Sequence, residues 1–207
     1  MNATSAPSTA TMPGAAPAGD AVLAARLAAR DSAALREVIA QHGGMLHRIA
    51  YRMIGDAHEA EDIVQEALLR LWDQAPTISA RHPVGSQAAG TLRLGGWLSR
   101  VVTNLAIDRL RRARRFSDGE VPDREDDSPL ADEVIETEQR DGSARALVAA
   151  LPDRQRAAIV LTYYEELSNA DAAEALEMNI KAFESLLLRA RAALRKAYAA
   201  SAQGGGV

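Results

Sequence analysis

Residues 56–72, DAHEAEDIVQEALLRLW, decide the fold of this chain. Asp56 with Glu59 three positions later fits a capping box, so we expect a helix to begin here. Its apolar residues recur at helical spacing and predict a stripe that faces a core. These residues are Ile63, Val64, Ala67, Leu68 and Leu71. The stretch therefore predicts an amphipathic helix inside a helical domain.

The opposite side of this helix is acidic and has a leucine among the polar residues. It consists of Asp62, Gln65, Glu66, Leu69 and Asp73. Such a face suits a partner helix that carries basic and apolar residues, although charged faces with one exposed leucine are often only solvated. His58, Glu61 and Asp62 also suggest a metal site, but the chain has no HExxH and no second histidine at ligand spacing. We expect no metal there.

Composition places the whole chain in the all-α class. It has 207 residues, of which 47% are hydrophobic and only 4% aromatic, and no window alternates β-branched with polar residues. This size fits two small helical domains. The sequence has no cysteine, which excludes disulfides, thiolate metal sites and thiol redox sensing in this chain. No nucleophile signature or phosphate-binding loop is present, so we predict no catalytic residue, no cofactor and no enzyme activity.

Charge is segregated along the chain. Residues 109–115, RLRRARR, hold five arginines, and residues 116–143 hold eleven acids and two arginines, a balance of 2 − 11 = −9. Residues 180–196 are basic again. We interpret the acidic segment as a solvated linker, and alternatively as a mimic of nucleic acid that covers basic surfaces. The predicted organisation is a tail over 1–19, a domain over 20–115, a linker over 116–143, a domain over 144–200 and a tail over 201–207.

The N-terminal stretch has neither a basic region nor a long apolar run. It therefore predicts a disordered tail and argues against a signal peptide or membrane anchor, as expected for a cytoplasmic chain that does not insert in a membrane.

Several helix boundaries of the first domain follow from local signals. Asp20 and Asp31 are expected to cap two short helices, Gly43 and Gly44 to break the chain, and Gly55 to close a helix over 45–54.

The helix over residues 95–115 combines a core stripe with a polar face. Leu98, Val101, Val102 and Leu105 predict the core side. The residues expected to face solvent are Arg100, Thr103, Asn104, Ile107, Asp108, Arg111, Arg112 and Arg115. Asparagine and arginine on one exposed face reach both bases and phosphates, so this helix indicates nucleic-acid binding.

The last segment has the pattern of a helix-turn-helix. Pro152 suits the first turn of a helix running to Glu166, and Ser168 with Asp171 fits a capping box for a short helix over 169–176. A turn over 177–179 then leads into a long basic helix from Ile180 to about Tyr198, with Asn179 expected as its N-cap. We expect Phe183, Leu186, Leu187, Ala190 and Leu194 to pack inward, and Lys181, Glu184, Ser185, Leu188 and Arg195 to project.

The order of these motifs resembles the extracytoplasmic-function (ECF) group of the sigma-70 family, the dissociable subunits that give bacterial RNA polymerase its promoter specificity. Residues 56–72 are similar to the segment of region two that docks on the β′ clamp helices. Residues 97–115, WLSRVVTNLAIDRLRRARR, resemble the segments that read the minus-ten element and open the duplex. Residues 167–195, LSNADAAEALEMNIKAFESLLLRARAALR, resemble the region four motif that reads the minus-thirty-five element.

The resemblance implies partners and residue roles. It implies binding to core RNA polymerase, through the β′ clamp helices and the β flap, to promoter DNA, and to an anti-sigma factor in a stress or signal response. The polymerase-binding residues would be Asp62, Gln65, Glu66, Leu69 and Asp73. The minus-ten residues would be Arg100, Asn104, Asp108, Arg109, Arg111 and Arg112. The minus-thirty-five residues would be Lys181, Glu184, Ser185, Leu188, Arg189 and Arg191.

One loop and two single residues depart from the family pattern. The loop expected over 75–95 is longer than usual and has no aromatic residue for base capture, Glu177 stands where glycine is frequent, and Ala172 replaces a larger aliphatic residue. The alternative class is a conventional helix-turn-helix regulator that binds operator DNA without polymerase.

Overall fold

The computed structural model of the protein describes residues 18–117 and 144–204, and those residues form helices and no strand. The predicted all-α fold is confirmed. Residues 118–143 of the predicted acidic linker, and residues 1–17 and 205–207 of the predicted tails, lie outside the described residues. The remaining residues of these segments, 116–117, 18–19 and 201–204, belong to helices. The helices of the N-terminal domain are α1 (Ala18–Ala28), α2 (Ser32–Ile54), α3 (Ala57–Arg81) and α4 (Leu94–Ser117), with a 3-10 turn over Gln87–Thr91.

The C-terminal domain is built of shorter helices that end in one long helix. A helical stretch over 144–149 precedes α5 (Asp153–Ile159), which continues as a π-helical turn over Val160–Tyr164. The domain then has α6 (Asn169–Ala175) and α7 (Ile180–Gly204). The predicted helix from Pro152 to Glu166 is therefore present, but its second half widens into a π-helix.

Helix α2 is continuous through Gly43 and Gly44, so the predicted break at these glycines is wrong. Glycine costs a helix about 1 kcal/mol relative to alanine, which local propensity alone would not offset. Val38 and Leu46, on either side of the glycines, are fully buried and hold both halves of the helix against one core. Tertiary packing thus outweighs the local preference.

The ends of α2 follow the sequence signals. Asp31 accepts a hydrogen bond from the backbone N–H of Ala33, as expected of an N-cap. Gly55 ends the helix at φ 87°, a left-handed conformation that glycine adopts without strain.

Asp20 does not cap its own helix, contrary to the prediction, because α1 already begins at Ala18. Its carboxylate instead accepts a 2.8 Å hydrogen bond from the backbone N–H of Leu94, at the start of α4. The side chain thus satisfies one of the four unpaired N–H groups at that helix start, 74 residues away in sequence. Helix α1 thereby supplies the cap of α4.

Helix α3 begins as predicted, with the Asp56 carboxylate accepting from the N–H of Glu59 at 2.8 Å. It does not end near residue 75, however, but continues through Pro76 to Arg81. The buried side chains of Ala75 and Ile78 explain the extension, since they keep this part of the helix packed on the core. The predicted loop over 75–95 is therefore shorter than expected and contains a 3-10 turn.

Candidate protein and nucleic-acid interfaces

The acidic face of α3 lies opposite its buried stripe. Ile63, Ala67 and Leu71 are fully buried, whereas Leu69 is 64% exposed. Asp62, Gln65 and Asp73 are exposed, and Glu66 is half-buried and accepts from Arg70 one turn later. An exposed leucine within acidic side chains gives a partner helix both an apolar contact and a charge preference.

Helix α4 is covered on more of its surface than the sequence predicts. It contacts α2 and α3 on one side and α5 and α6 of the C-terminal domain on another. Thr103 and Ile107 are consequently buried, so their predicted exposure is wrong. Asp108, Arg111 and Arg112 are exposed, while Arg100, Asn104 and Arg109 are half-buried.

The arginines that end α4 form a basic surface. Residues 111–115 are all exposed and include four arginines. Arg111 lies 3.9 Å from Asp108 in a weak pair along the same helix, so its guanidinium keeps most of its hydrogen-bonding capacity. Five donors on a planar cation suit contact with phosphates and base edges.

The helix-turn-helix forms with the predicted caps. Ser168 accepts from the N–H of Asp171 at 3.1 Å, and Asn179 accepts from the N–H of Ala182 at 2.8 Å. Phe183 and Ala190 are fully buried in the domain core. The residues predicted to read the minus-thirty-five element are all exposed on α7, with Leu188 exposed by 62%. They are Lys181, Glu184, Ser185, Leu188, Arg189 and Arg191.

The turn between α6 and α7 carries local strain at Glu177. Its φ is 52°, in the left-handed region that residues with a Cβ seldom adopt. This explains in physical terms why a glycine is favoured at this position of the turn. The Glu177 carboxylate lies 3.8 Å from the Arg100 guanidinium on α4, so the strained turn contacts the N-terminal domain.

A group of charged residues that the sequence did not predict lies between the two domains. We call the following three interactions the interdomain contact. They are the ion pair of Arg48 with Glu165, the ion pair of Arg114 with Asp153, and the hydrogen bond that Arg156 donates to the carbonyl of Met53.

The ion pair of Arg48 with Glu165 is bidentate. Arg48 donates from Nε to both carboxylate oxygens at 3.2 Å and from a terminal nitrogen to one of them at 2.8 Å. The hydrogen-bonded carboxylate raises the pKa of Arg48 above its usual value. The Glu165 side chain is 1% exposed, whereas Arg48 is 55% exposed, so the buried carboxylate depends on a cation from the other domain.

Arg156 is the most deeply buried cation of the described residues. It is 6% exposed, and burial lowers the pKa of its guanidinium. Its two terminal nitrogens donate to the carbonyls of Met53 and Ala149, one in each domain. A sequence signal existed, since Arg156 immediately precedes the apolar run AAIVL and lies on the buried side of α5. A charged residue next to such a run, on the buried side of a helix, is uncommon unless it has a buried partner.

Neither a metal site nor a membrane-spanning helix is found among the described residues. Within residues 18–117 and 144–204, no group of three or more histidine, aspartate or glutamate side chains is arranged to hold a metal ion. No helix in that part of the chain is both long enough and apolar enough to cross a membrane.

Comparison with known families assigns both domains. Residues 38–116 match the model of sigma-70 region 2, and residues 142–194 match that of sigma-70 region 4.

Three similar curated proteins are all described as ECF RNA polymerase sigma factors. SigL of Mycobacterium tuberculosis, an ECF RNA polymerase sigma factor, is 35% identical over 173 residues, which are 81% of this chain and 90% of that protein. SigM of the same species, also an ECF sigma factor, is 33% identical over 177 residues, covering 86% and 83%. SigW of Bacillus subtilis, another, is 29% identical over 177 residues, covering 80% and 89%.

Solved structures share the fold. CnrH, in complex with the cytosolic domain of CnrY, matches with a TM-score of 0.60 at 24% identity over 87% of this chain and 97% of that chain. The sigma factor RpoE of Bartonella quintana, in complex with the anti-sigma factor NepR, matches with a TM-score of 0.58 at 22% identity over 79% and 95%. The matches to both sigma regions and the identity to SigL and SigM show the family of this chain. It belongs to the ECF RNA polymerase sigma factors of the sigma-70 family, which bind core polymerase and direct it to promoters.

Proposed function

We propose that this sigma factor works through three exposed surfaces, each placed opposite a buried stripe of its helix. The acidic face of α3 docks on the β′ clamp helices of core polymerase. The polar side and arginine end of α4 bind and open the minus-ten region. The exposed face of α7 reads the minus-thirty-five element. The C-terminal domain also contacts the β flap, and the protein acts in the cytoplasm with polymerase.

The observation that carries this proposal is Leu69. It is 64% exposed at the centre of the acidic face, although three neighbouring apolar side chains of α3 are fully buried. An isolated helical domain gains nothing from a leucine there, whereas a partner helix would bury it. A conventional operator-binding regulator is not favoured, because residues 38–116 match region 2 in addition to the region 4 match of the helix-turn-helix.

Transcription with purified components tests the proposal. Core polymerase and a promoter taken from genes that depend on this chain should give a specific transcript only when the chain is added. The same template with a scrambled minus-thirty-five element is the control, and its transcript should fall strongly. Operator binding by the chain alone, with no effect on core polymerase, would instead support the regulator class.

We also propose that an anti-sigma factor controls this chain. CnrH and RpoE were solved in complex with CnrY and with the anti-sigma factor NepR, and their fold is that of this chain. Because the chain has no cysteine, a thiol signal would have to be sensed by the partner. Such a partner should co-purify from unstimulated native cells and compete with core polymerase. Recovery of the chain only as a free monomer under all uninduced conditions would contradict this control.

A further inference from the structure

Helix α3 has a gap in its backbone hydrogen bonding where it passes through Pro76. In a regular helix, the N–H of each residue donates to the carbonyl four residues earlier, but proline has no N–H to donate. The carbonyl of Trp72 therefore lacks its regular partner within the helix. Packing of Ala75 and Ile78 on the core carries α3 past this point, but it does not supply the missing donor.

The side chain of Arg30 supplies a donor to this carbonyl. A terminal nitrogen of its guanidinium donates to the Trp72 carbonyl at 3.1 Å, although the two residues are 42 positions apart in sequence. The guanidinium carbon also lies 5.3 Å from the centroid of the Trp72 ring, within the range of a cation–π contact. One cation thus contacts both the backbone and the side chain of the residue at the gap.

Arg30 occupies a backbone position that usually belongs to glycine. It follows α1 with a φ of 62°, in the left-handed region. Its N–H donates to the carbonyl of Leu27 at 2.9 Å, and the N–H of Asp31 donates to the carbonyl of Arg26 at 3.0 Å. These two hydrogen bonds form a Schellman motif, in which glycine is the common residue at the left-handed position. An arginine there carries backbone strain, which favours a role for its side chain that glycine could not perform.

The gap lies at the end of the acidic face of α3. Leu69 of that face is three residues before Trp72, and Asp73 is the residue after it. Helices open locally where few hydrogen bonds have to break, so a carbonyl without a donor marks a weak point. Opening at Trp72 would change the spacing of Leu69 and Asp73, which a partner helix contacts together in the proposed docking.

We propose that Arg30 is a positioning residue for the docking of α3 on core polymerase. Its guanidinium closes the gap that Pro76 leaves at the Trp72 carbonyl and keeps the last turn of the acidic face helical. Arg30 acts through α3, without contacting polymerase itself. The inference rests on the proposed function, since it takes the acidic face of α3 as the docking surface.

The sign of the effect separates this role from a simple effect of charge. The face near Arg30 is acidic and suits a basic partner, so by charge alone the loss of this arginine should strengthen docking. Loss of the positioning contact should instead weaken docking, because only molecules with an intact helix are competent to bind. If the competent fraction falls to about a fifth, the apparent dissociation constant rises about fivefold.

A double-mutant cycle with Pro76 tests the proposal. Arg30→Met keeps an unbranched apolar stem but removes the donors and the charge, whereas Pro76→Ala restores an N–H that can reach the Trp72 carbonyl. In the Pro76 chain, Arg30→Met should raise the apparent dissociation constant for core polymerase about fivefold, measured by titrating the fluorescently labelled chain. In the Pro76→Ala chain, the same change should no longer weaken binding, because the carbonyl then has its partner within the helix.

Hydrogen exchange in the free chain locates the change. Arg30→Met should speed exchange of the backbone amides over residues 73–80 but not in the middle of α2, and Pro76→Ala should restore slow exchange. Arg36→Met is the matched control, since Arg36 is an exposed arginine of α2 that donates to Ser32 of its own helix. It should bind polymerase and exchange like the wild type. Circular dichroism should show unchanged helicity in every variant.

Three results would overturn the proposal. The first is unchanged or tighter polymerase binding by Arg30→Met, and the second is unchanged exchange over residues 73–80. The third is equal weakening in the Pro76 and Pro76→Ala chains, since Arg30 would then contact polymerase directly. The exchange measurement needs no polymerase, so its failure concerns Arg30 alone, whereas normal polymerase binding by a Leu69→Arg chain would contradict the proposed docking surface.

Discussion

The exposure of Leu69 distinguishes the acidic face of α3 from the stripe of the same helix that packs on the core. A leucine that is 64% exposed contributes little to folding, so its replacement should leave the domain intact. We expect Leu69→Arg to abolish co-purification with core polymerase while melting temperature and helicity stay unchanged, because the new charge cannot enter an apolar contact. Gln41→Arg, an exposed change on α2, is the matched control and should bind normally. Normal binding by Leu69→Arg would exclude this face as the docking surface.

His42 couples the stability of the N-terminal domain to pH. Burial lowers the pKa of this histidine, and the nearby Asp20 carboxylate offsets that effect only in part. The folded state therefore resists protonation while the unfolded state binds a proton as pH falls through about 6.5. Stability contributed by neutral His42 is present above that pH and is lost progressively below it.

We accordingly expect the melting temperature to fall between pH 7.5 and 5.5, and His42→Gln to reduce that fall. His58→Gln, at an exposed position of α3, is the control and should keep the wild-type pH dependence. Equal slopes for wild type and His42→Gln would assign the pH dependence to other groups.

At the scale of elements, the turn between α6 and α7 stores backbone strain. Glu177 adopts a φ of 52°, which costs a residue with a Cβ about 1 kcal/mol more than glycine. Glu177→Gly should therefore stabilise the protein by about that amount in chemical denaturation. Glu177→Ala is the matched control, since it also removes the carboxylate near Arg100 but keeps the Cβ. A glycine variant no more stable than the alanine variant would show that the turn is unstrained.

Replacing DNA-facing residues of α7 and of α4 should impair promoter recognition in different ways. Glu184→Ala should cost about 1 to 3 kcal/mol at one base pair of the upstream element and relax the preference there, because a carboxylate accepts from a base edge. Arg111→Ala should weaken open-complex formation at all cognate promoters and lower the salt slope by about one ion. Promoter variants assayed with each mutant holoenzyme separate the two effects. The reverse assignment would follow if Arg111→Ala alone changed base preference.

Helix starts were the elements most predictable from sequence. Asp31, Asp56, Ser168 and Asn179 all accept the backbone hydrogen bonds expected of caps, because capping depends on residues only two or three positions away. Helix interiors and ends were less predictable. The passage of α2 through two glycines and of α3 through Pro76 depends on packing against distant residues, which no local signal reports.

At the scale of the whole molecule, the exposed faces could be predicted from sequence, whereas the contact between domains could not. Periodicity places Leu69 and Leu188 outside the core of their own helices, and both are exposed. The pairing of Arg48 with Glu165 joins residues 117 positions apart and follows from how two folded units meet. The burial of Thr103 and Ile107 was missed, because α4 packs against two domains instead of one.

Ionic strength should weaken the interdomain contact. The two ion pairs of that contact have half-exposed arginines, so salt screens them as the Debye length falls from about 10 Å at 0.1 M to about 3 Å at 1 M. We expect the radius of gyration of the free chain, measured by small-angle X-ray scattering, to increase over this range. A chain with both Arg48 and Glu165 replaced by alanine should respond less to salt. An unchanged wild-type radius would mean that buried hydrogen bonds and apolar packing, and not ion pairs, hold the domains together.

The hydrogen bond that Asp20 accepts from the first turn of α4 limits where an expressed fragment can begin. The match to region 2 starts at residue 38, which invites expression of a gene fragment from that codon. Such a fragment would lack α1, leaving the first turn of α4 uncapped and removing Leu23 and Leu27 from the core that they complete. The polypeptide would then expose apolar surface that the native chain covers and would accumulate as inclusion bodies. An open reading frame for the isolated N-terminal domain should therefore begin upstream of Ala18.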